Sequence, residues 1–208
     1  VRYQRYYMKV ELEDIKFWMD AIRNSEDRDR TLESFWGGQL KSKEWLVETL
    51  QRHHHVGNVS CVIFGGWNGV LANLLFNSTI GFKHITSVDI DPKCAEIANT
   101  MNKRYEMEGK FSAVTADMCE YEYTDQPYMV INTSCEHLTQ QQYNKWAKRV
   151  PTSTEVILQS NNYFELEEHV NCSNSVSSFE KKSKLKTLLV KDELELPKYT
   201  RYMLMGRF

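Results

Sequence analysis

The sequence predicts an α/β three-layer sandwich, built on a mostly parallel, seven-stranded twisted sheet with an antiparallel strand pair at its C-terminal end. Three observations carry this expectation. From Cys61 onward, short apolar runs alternate with helix-period segments, the pattern of successive βαβ units. The first run, Cys61-Val62-Ile63-Phe64, enters Gly65-Gly66-Trp67-Asn68-Gly69 and passes at once into the apolar segment 70–76: strand, tight turn, helix. The last two runs, 185–190 and 199–207, are joined around Pro197 with no helix between them, which is simplest as an antiparallel edge pair.

The glycines of the first turn have a physical reason. The backbone there must bend sharply and also come close to a ligand, and a Cβ obstructs both. Free N–H groups at the start of the next helix face whatever sits above the strand end. The second strand, 85–88, ends in Asp89, twenty positions after Gly69. An acidic residue at about that distance is placed to accept hydrogen bonds from ribose hydroxyls. A nucleoside-containing ligand is therefore the leading expectation.

Composition sets the bounds. The 208 residues fit one domain with a full core, and 41% hydrophobic with 26% charged residues is ordinary for a globular protein. A formal net charge of −2 argues against a surface that coats nucleic acid. Cys61, Cys94, Cys119, Cys135 and Cys172 show no C-x-x-C and no metal-ligand spacing, so reduced, buried thiols in a reducing, cytoplasmic compartment are expected. No apolar run approaches the ~18 residues of a membrane span, and the N-terminus lacks a signal-peptide core, so no membrane partner is expected.

Residues 1–56 read as a helical extension capping, within one domain, the core of residues 57–208. Leu12, Ile15, Met19 and Ile22 fall at spacings of three and four, which predicts an amphipathic helix over 10–24. Residues 25–30 form a charged connector and 35–42 a loop, with Ser42 capping a helix that carries Trp45, Leu46 and Leu50. Trp36 and Trp45 are either core or the walls of a ligand pocket. His53-His54-His55 ends that helix, but neighbouring helical residues point in different directions and do not chelate one ion. No metal is expected.

Asp91-Pro92 is a helix start, with Cys94, Ile97, Ala98 and Met101 forming the face that packs on the sheet. The third strand, 111–115, leads to Asp117 and Met118. The fourth, 128–131, leads to Asn132-Thr133-Ser134-Cys135-Glu136-His137. A helix over 140–149, a strand over 156–158, a further helix over 163–169 and a polar, exposed loop or lid over 171–183 follow. In sheets of this kind ligands sit outside the carboxyl ends of the strands.

The residues at those ends resemble the class I S-adenosylmethionine-dependent methyltransferases, of Rossmann-like fold, over roughly 59–158. In that family the glycine loop passes under the methionine part and ribose, the acidic residue ending the second strand binds the ribose hydroxyls, and an Asp after the third contacts the adenine amine. The resemblance implies S-adenosyl-L-methionine as cofactor, with Gly65, Gly66, Trp67, Asn68, Gly69, Asp89, Ile90, Asp117, Met118 and Asn132 around it. Cys135-Glu136-His137-Leu138 resembles the family's signature after the fourth strand. Two positions depart from the pattern. An apolar residue near Ile63 replaces the usual acid of the first strand, and Trp67 replaces the middle glycine, so its side chain must point away from the cofactor or cover it. The Gly-Gly-Trp-x-Gly loop, preceded by Gln-Leu-Lys-Ser-Lys at 39–43, resembles small methyltransferases carried by bacteriophages.

Methyl transfer asks for in-line positioning, desolvation and, for an N or O nucleophile, removal of a proton. Glu136 and His137 are candidates for the base, or else a turn cap and a packed ring. Asn132 is a third candidate, as an amide carbonyl that holds an amine. It lacks the proline pair that follows such an Asn in nucleic-acid amino-methyltransferases, which speaks against a DNA base. Trp36, Gln39, Lys41 and Trp45 are the candidate substrate contacts. The expected acceptor is an N or O nucleophile of a small molecule. A methyltransferase for RNA, DNA or protein is the first competing reading, and a non-catalytic S-adenosylmethionine-binding protein the second. A nicotinamide dehydrogenase is disfavoured, because neither G-x-G-x-x-G spacing nor Tyr-x-x-x-Lys occurs.

Overall fold

The computed structural model describes residues 9–54 and 57–208. Its strands are β1 Gly57–Phe64, β2 Gly81–Asp89, β3 Phe111–Thr115, β4 Met129–Asn132, β5 Glu155–Asn161, β6 Thr187–Glu195 and β7 Thr200–Arg207. They form a single seven-stranded sheet in the order β3-β2-β1-β4-β5-β7-β6. β2/β3, β1/β4 and β4/β5 pair in parallel, while β5/β7 and β6/β7 are antiparallel. Helices flank the sheet, and the α/β architecture with its antiparallel C-terminal pair is the one the sequence predicts. By contacts the chain falls into two compact units, one running up to Ser60 and resuming at 66–115, the other comprising 61–65 and 116–208.

In the first unit, α1 Leu12–Asn24 packs on α5 Pro92–Met101. Its orientation differs from the expected one. Leu12, Ile15 and Met19 are 85%, 43% and 59% exposed, while Asp14 and Ala21 are buried. The reason is an ionic contact that outweighs the apolar stripe. Asp14 accepts from Arg104 Nε and Nη2 at 3.1 and 2.9 Å and from Asn77 Nδ2 at 3.0 Å. A buried carboxylate without such partners is prohibitively costly, so the helix turns to supply them.

After α2 Arg28–Glu33, α3 spans Gly37–His53, so the expected loop over 35–42 is mostly helix. Trp36 stands at the N-cap, and Ser42 lies inside the helix, its Oγ donating to Gly38 O at 2.6 Å. Trp45, Leu46 and Leu50 are core. His53 sits in the last turn, and His55 lies outside the described residues. α4 Val70–Phe76 packs on β2 and on α3. Asp91 caps α5 as predicted, accepting from Lys93 N–H at 3.0 Å, and Cys94, Ala98 and Met101 form its buried face. α6 Lys103–Met107 leads into β3.

In the second unit, residues 61–64 of β1 are buried and lie parallel to β4, with Phe64 level with Asn132. The Phe64 ring meets Tyr121 and Trp146 edge-on, at 5.4 and 5.8 Å between centroids. α7 Gln140–Ala147 starts at a reciprocal capping box between Thr139 and Gln142. Residues 163–169 are turns rather than the expected helix. Tyr163 N–H donates to Asn161 Oδ1 at 2.9 Å and the Tyr163 carbonyl lies 2.8 Å from His169 Nδ1, which bends the segment on itself.

The expected loop over 171–183 is also corrected. It contains α8 Val176–Ser183, capped by Ser175, with Cys172, Ser173, Phe179 and Ser183 buried. Phe179, at 3% exposure, anchors this mostly polar helix in the core. All five cysteines are free and buried. Among the described residues no helix is long and apolar enough to cross a membrane.

Candidate functional site

The glycine turn is built by alternating backbone handedness. Gly65, Trp67 and Gly69 have φ of 62°, 47° and 77°. Trp67 is the costly member, since a bulky side chain rarely adopts that region. Its N–H donates to Asp89 Oδ2 at 2.9 Å, and Gly66 N–H donates to the Val88 carbonyl at 3.2 Å, which ties the turn to the end of β2. Asp89 Oδ1 accepts from Asp91 N–H at 3.1 Å, so one carboxylate organises two loops. Space matters as much as φ. A Cβ on Gly66 runs into the Ser87 hydroxyl, and one on Gly69 meets Asn102 Nδ2 at 2.6 Å and Ala98 Cβ at 2.9 Å.

Two features of this turn are unfinished by the chain's own contacts. Asn68 is 2% exposed, yet its Nδ2 donor has no partner among the described residues. A buried unpaired donor is costly and asks for an acceptor. Ile90, beside Asp89, is 71% exposed, an apolar side chain in water at the carboxyl end of β2. The Trp67 ring, which the sequence left to cover or avoid a ligand, lies under Lys43 Nζ at 5.9 Å from its centroid. Lys43 Nζ also donates to Gln39 Oε1 at 2.9 Å. Thus Gln39 reaches the glycine turn through Lys43. Trp36 (76% exposed) and Lys41 are on the surface, whereas Trp45 is core.

The second unit holds the point where strand order reverses, between β1 and β4, the place where open α/β sheets bind ligands. Gly65 closes against Ser134 there, because a Cβ would run into its hydroxyl. Asn132 is fully buried. Its Oδ1 accepts from Ser134 N–H at 2.9 Å and its Nδ2 lies 3.5 Å from Met118 Sδ, an Asx turn that occupies one lone pair of the amide carbonyl. Asp117 is exposed and accepts from Cys119 N–H at 2.8 Å.

Glu136 and His137 lie in a short 3-10 turn, Cys135–His137, and their surroundings differ. Glu136 is 2% exposed, and its Oε1 accepts from Asn161 Nδ2 at 2.8 Å and from Arg201 Nη1. Arg201 also donates to the Thr133 carbonyl, and the Glu136 carbonyl accepts from Asn171 N–H at 2.9 Å. This buried pair joins the turn to β5 and β7. Glu136 Oε2 is left without a hydrogen-bond partner among the described residues. His137 is exposed, yet partial desolvation of its ring holds its pKa below the ordinary histidine value. Its ring meets that of His169 edge to face, with centroids 4.7 Å apart. His169 and Arg201 carry no sequence signal, because they come from a turn and a strand far along the chain.

No protein-family model and no curated protein sequence matches the chain. Solved structures do match its fold. The N-methyltransferase NodS from Bradyrhizobium japonicum, solved with S-adenosyl-L-homocysteine, is similar with a TM-score of 0.67 at 9% identity, over 91% of this chain and 98% of that one. Magnesium protoporphyrin IX methyltransferase from Synechocystis, solved with S-adenosylmethionine, is similar with a TM-score of 0.64 at 15% identity, over 96% and 100%. The PH0226 protein from Pyrococcus horikoshii is similar with a TM-score of 0.64 at 14% identity, over 84% and 96%. The class of fold is thereby that of the Rossmann-like methyltransferases.

Proposed function

We propose that the chain is an S-adenosyl-L-methionine-dependent methyltransferase that transfers a methyl group to an N or O nucleophile of a small molecule. The observation that carries this reading is the glycine turn fastened to Asp89, with an unpaired Asn68 donor inside it and an exposed Ile90 beside it. The chemistry of that set fits the ligand. Asp89 has lone pairs left for the ribose hydroxyls, Asn68 offers a donor to a carboxylate, and Ile90 offers an apolar face to the adenine. The resemblance assigns Asp117, Met118 and Asn132, in the second unit, to the same ligand.

When bound, the sulfonium supplies an electrophilic methyl group, so the chain's part is to orient, to exclude water and to accept a proton. His137, whose pKa partial burial holds below the ordinary histidine value, suits proton acceptance better than Glu136, whose Oε1 is engaged by Arg201. Trp36, Gln39 and Lys41 are read as substrate contacts. A small-molecule acceptor is supported by the neighbour named for magnesium protoporphyrin IX. The five buried thiols accord with the cytoplasm, and the Gly-Gly-Trp-x-Gly loop with a bacteriophage-type enzyme.

Isothermal titration tests the reading directly. S-adenosylmethionine and its demethylated product are expected to bind with micromolar Kd, about −8 kcal/mol. No heat with either, together with binding of a nicotinamide dinucleotide, overturns it.

A further inference from the structure

Glu136, His137 and His169 each present one ligand atom, and these atoms lie within 4.8 Å of one another. A tetrahedral or octahedral cation with bonds of about 2.1 Å holds its ligand atoms roughly 3.0–3.4 Å apart, so modest side-chain adjustment closes the set. Two further observations mark it as more than a chance cluster. Glu136 is 97% buried by its side chain, and with Oε1 taken by Arg201 and Asn161, Oε2 is the oxygen left without a partner among the described residues. His169 Nδ1 lies 2.8 Å from the Tyr163 carbonyl, which makes Nδ1 the protonated nitrogen and leaves Nε2 its lone pair. A second nitrogen fixed on a backbone carbonyl is the arrangement that orients metal-ligating histidines.

The geometry points to a divalent transition-metal site at Glu136, His137 and His169, a role no expectation from the sequence assigned and one that would occupy the His137 lone pair in place of the proton acceptance proposed above. Two imidazoles and one carboxylate suit Zn²⁺, Co²⁺ or Ni²⁺ rather than Mg²⁺ or Ca²⁺, which prefer all-oxygen sets. Arg201 strengthens that preference. Its guanidinium draws on the Glu136 charge, so affinity must come mainly from the two nitrogens. Three protein ligands leave a position open for water or a substrate atom, as in catalytic rather than structural zinc sites. The chain's other histidine cluster, at 53–55, has no such carboxylate in sequence and serves as the control.

The test is titration of the chelator-treated full chain with Zn²⁺ in competition with a chromogenic chelator, and with Co²⁺ followed by visible absorption. One equivalent should bind, with His137→Ala and His169→Ala each weakening it at least tenfold and His53→Ala/His55→Ala leaving it unchanged. The Co²⁺ spectrum should lack a thiolate charge-transfer band, a readout that needs no variant to fold. Binding that survives both His137→Ala and His169→Ala, a thiolate band, or no stoichiometric binding each overturns the assignment. Metal binding is read without the methyl donor, so its failure is separate from a failure of methyl transfer.

Discussion

Asp89→Ala should weaken cofactor binding far more than Asp91→Ala, although the two residues are neighbours in one loop. Asp89 uses one lone pair of Oδ2 on Trp67 N–H and one of Oδ1 on Asp91 N–H, at 2.9 and 3.1 Å. An ionised carboxylate offers about four acceptor positions, so roughly two remain for ribose hydroxyls. Hydrogen bonds to a charged group contribute about 1.5–3 kcal/mol each, so two of them amount to about 3–6 kcal/mol. At about 1.4 kcal/mol per tenfold, affinity falls by roughly two to four orders of magnitude. Asp91 instead caps α5 through Lys93 N–H at 3.0 Å and pairs with Arg30 Nη1 at 2.7 Å, contacts that hold the fold and not the ligand. Its loss costs about 1 kcal/mol for the cap and a comparable or smaller amount for the half-exposed pair, all of it in stability. Titration calorimetry with the demethylated cofactor, beside melting temperatures, separates the two effects. Equal losses of affinity in both variants would falsify the placement of Asp89 under the ribose.

The N-terminal segment makes a second distinction. Trp36→Ala and Lys41→Ala should leave melting temperature and cofactor affinity unchanged and lower turnover at least tenfold, since both side chains are exposed. Trp45→Ala removes a core ring, 9% exposed, and should cost about 3–5 kcal/mol of stability. Normal turnover in the first two variants would remove this face from the substrate path. Acid stability supplies the other test. The side-chain bond from Arg30, and next the Lys93 N–H, hold the Asp91 carboxyl below its ordinary value. A carboxyl lowered in the folded state stabilises above its unfolded pKa of about 3.9, and that stability is lost as pH falls through the lower folded value. Below about pH 4 the melting curve of Asp91→Asn, which keeps a good cap, should therefore fall less steeply with acid than the parent's; parallel curves would show that the pair contributes nothing.

Much of the architecture is a local property of this sequence and was legible there. The strand–glycine–helix run at 61–76, the Asp91-Pro92 helix start and the helix-free link between the last two strands are each decided by turn chemistry and periodicity within a dozen residues. So is the position of Asp89 at the end of β2, because strand ends follow from where the apolar run stops. What misled were short-range patterns in competition with a distant partner. The stripe Leu12, Ile15, Met19 promised a buried face, but Arg104, ninety residues away, draws Asp14 inward instead. The polar stretch before Ser183 promised a loop, until Phe179 found a place in the core.

The sequence by itself determined the α/β class, the glycine turn and the acidic residue that faces it, because those depend on backbone sterics and hydrophobic period. Only the tertiary structure decided that Glu136 is held by Arg201 and Asn161, that Trp45 is core while Trp36 is free, and that His169 stands beside His137. Those outcomes turn on which of several polar partners a buried charge meets. That choice is made by contacts across strands and turns, where separation along the chain carries no information.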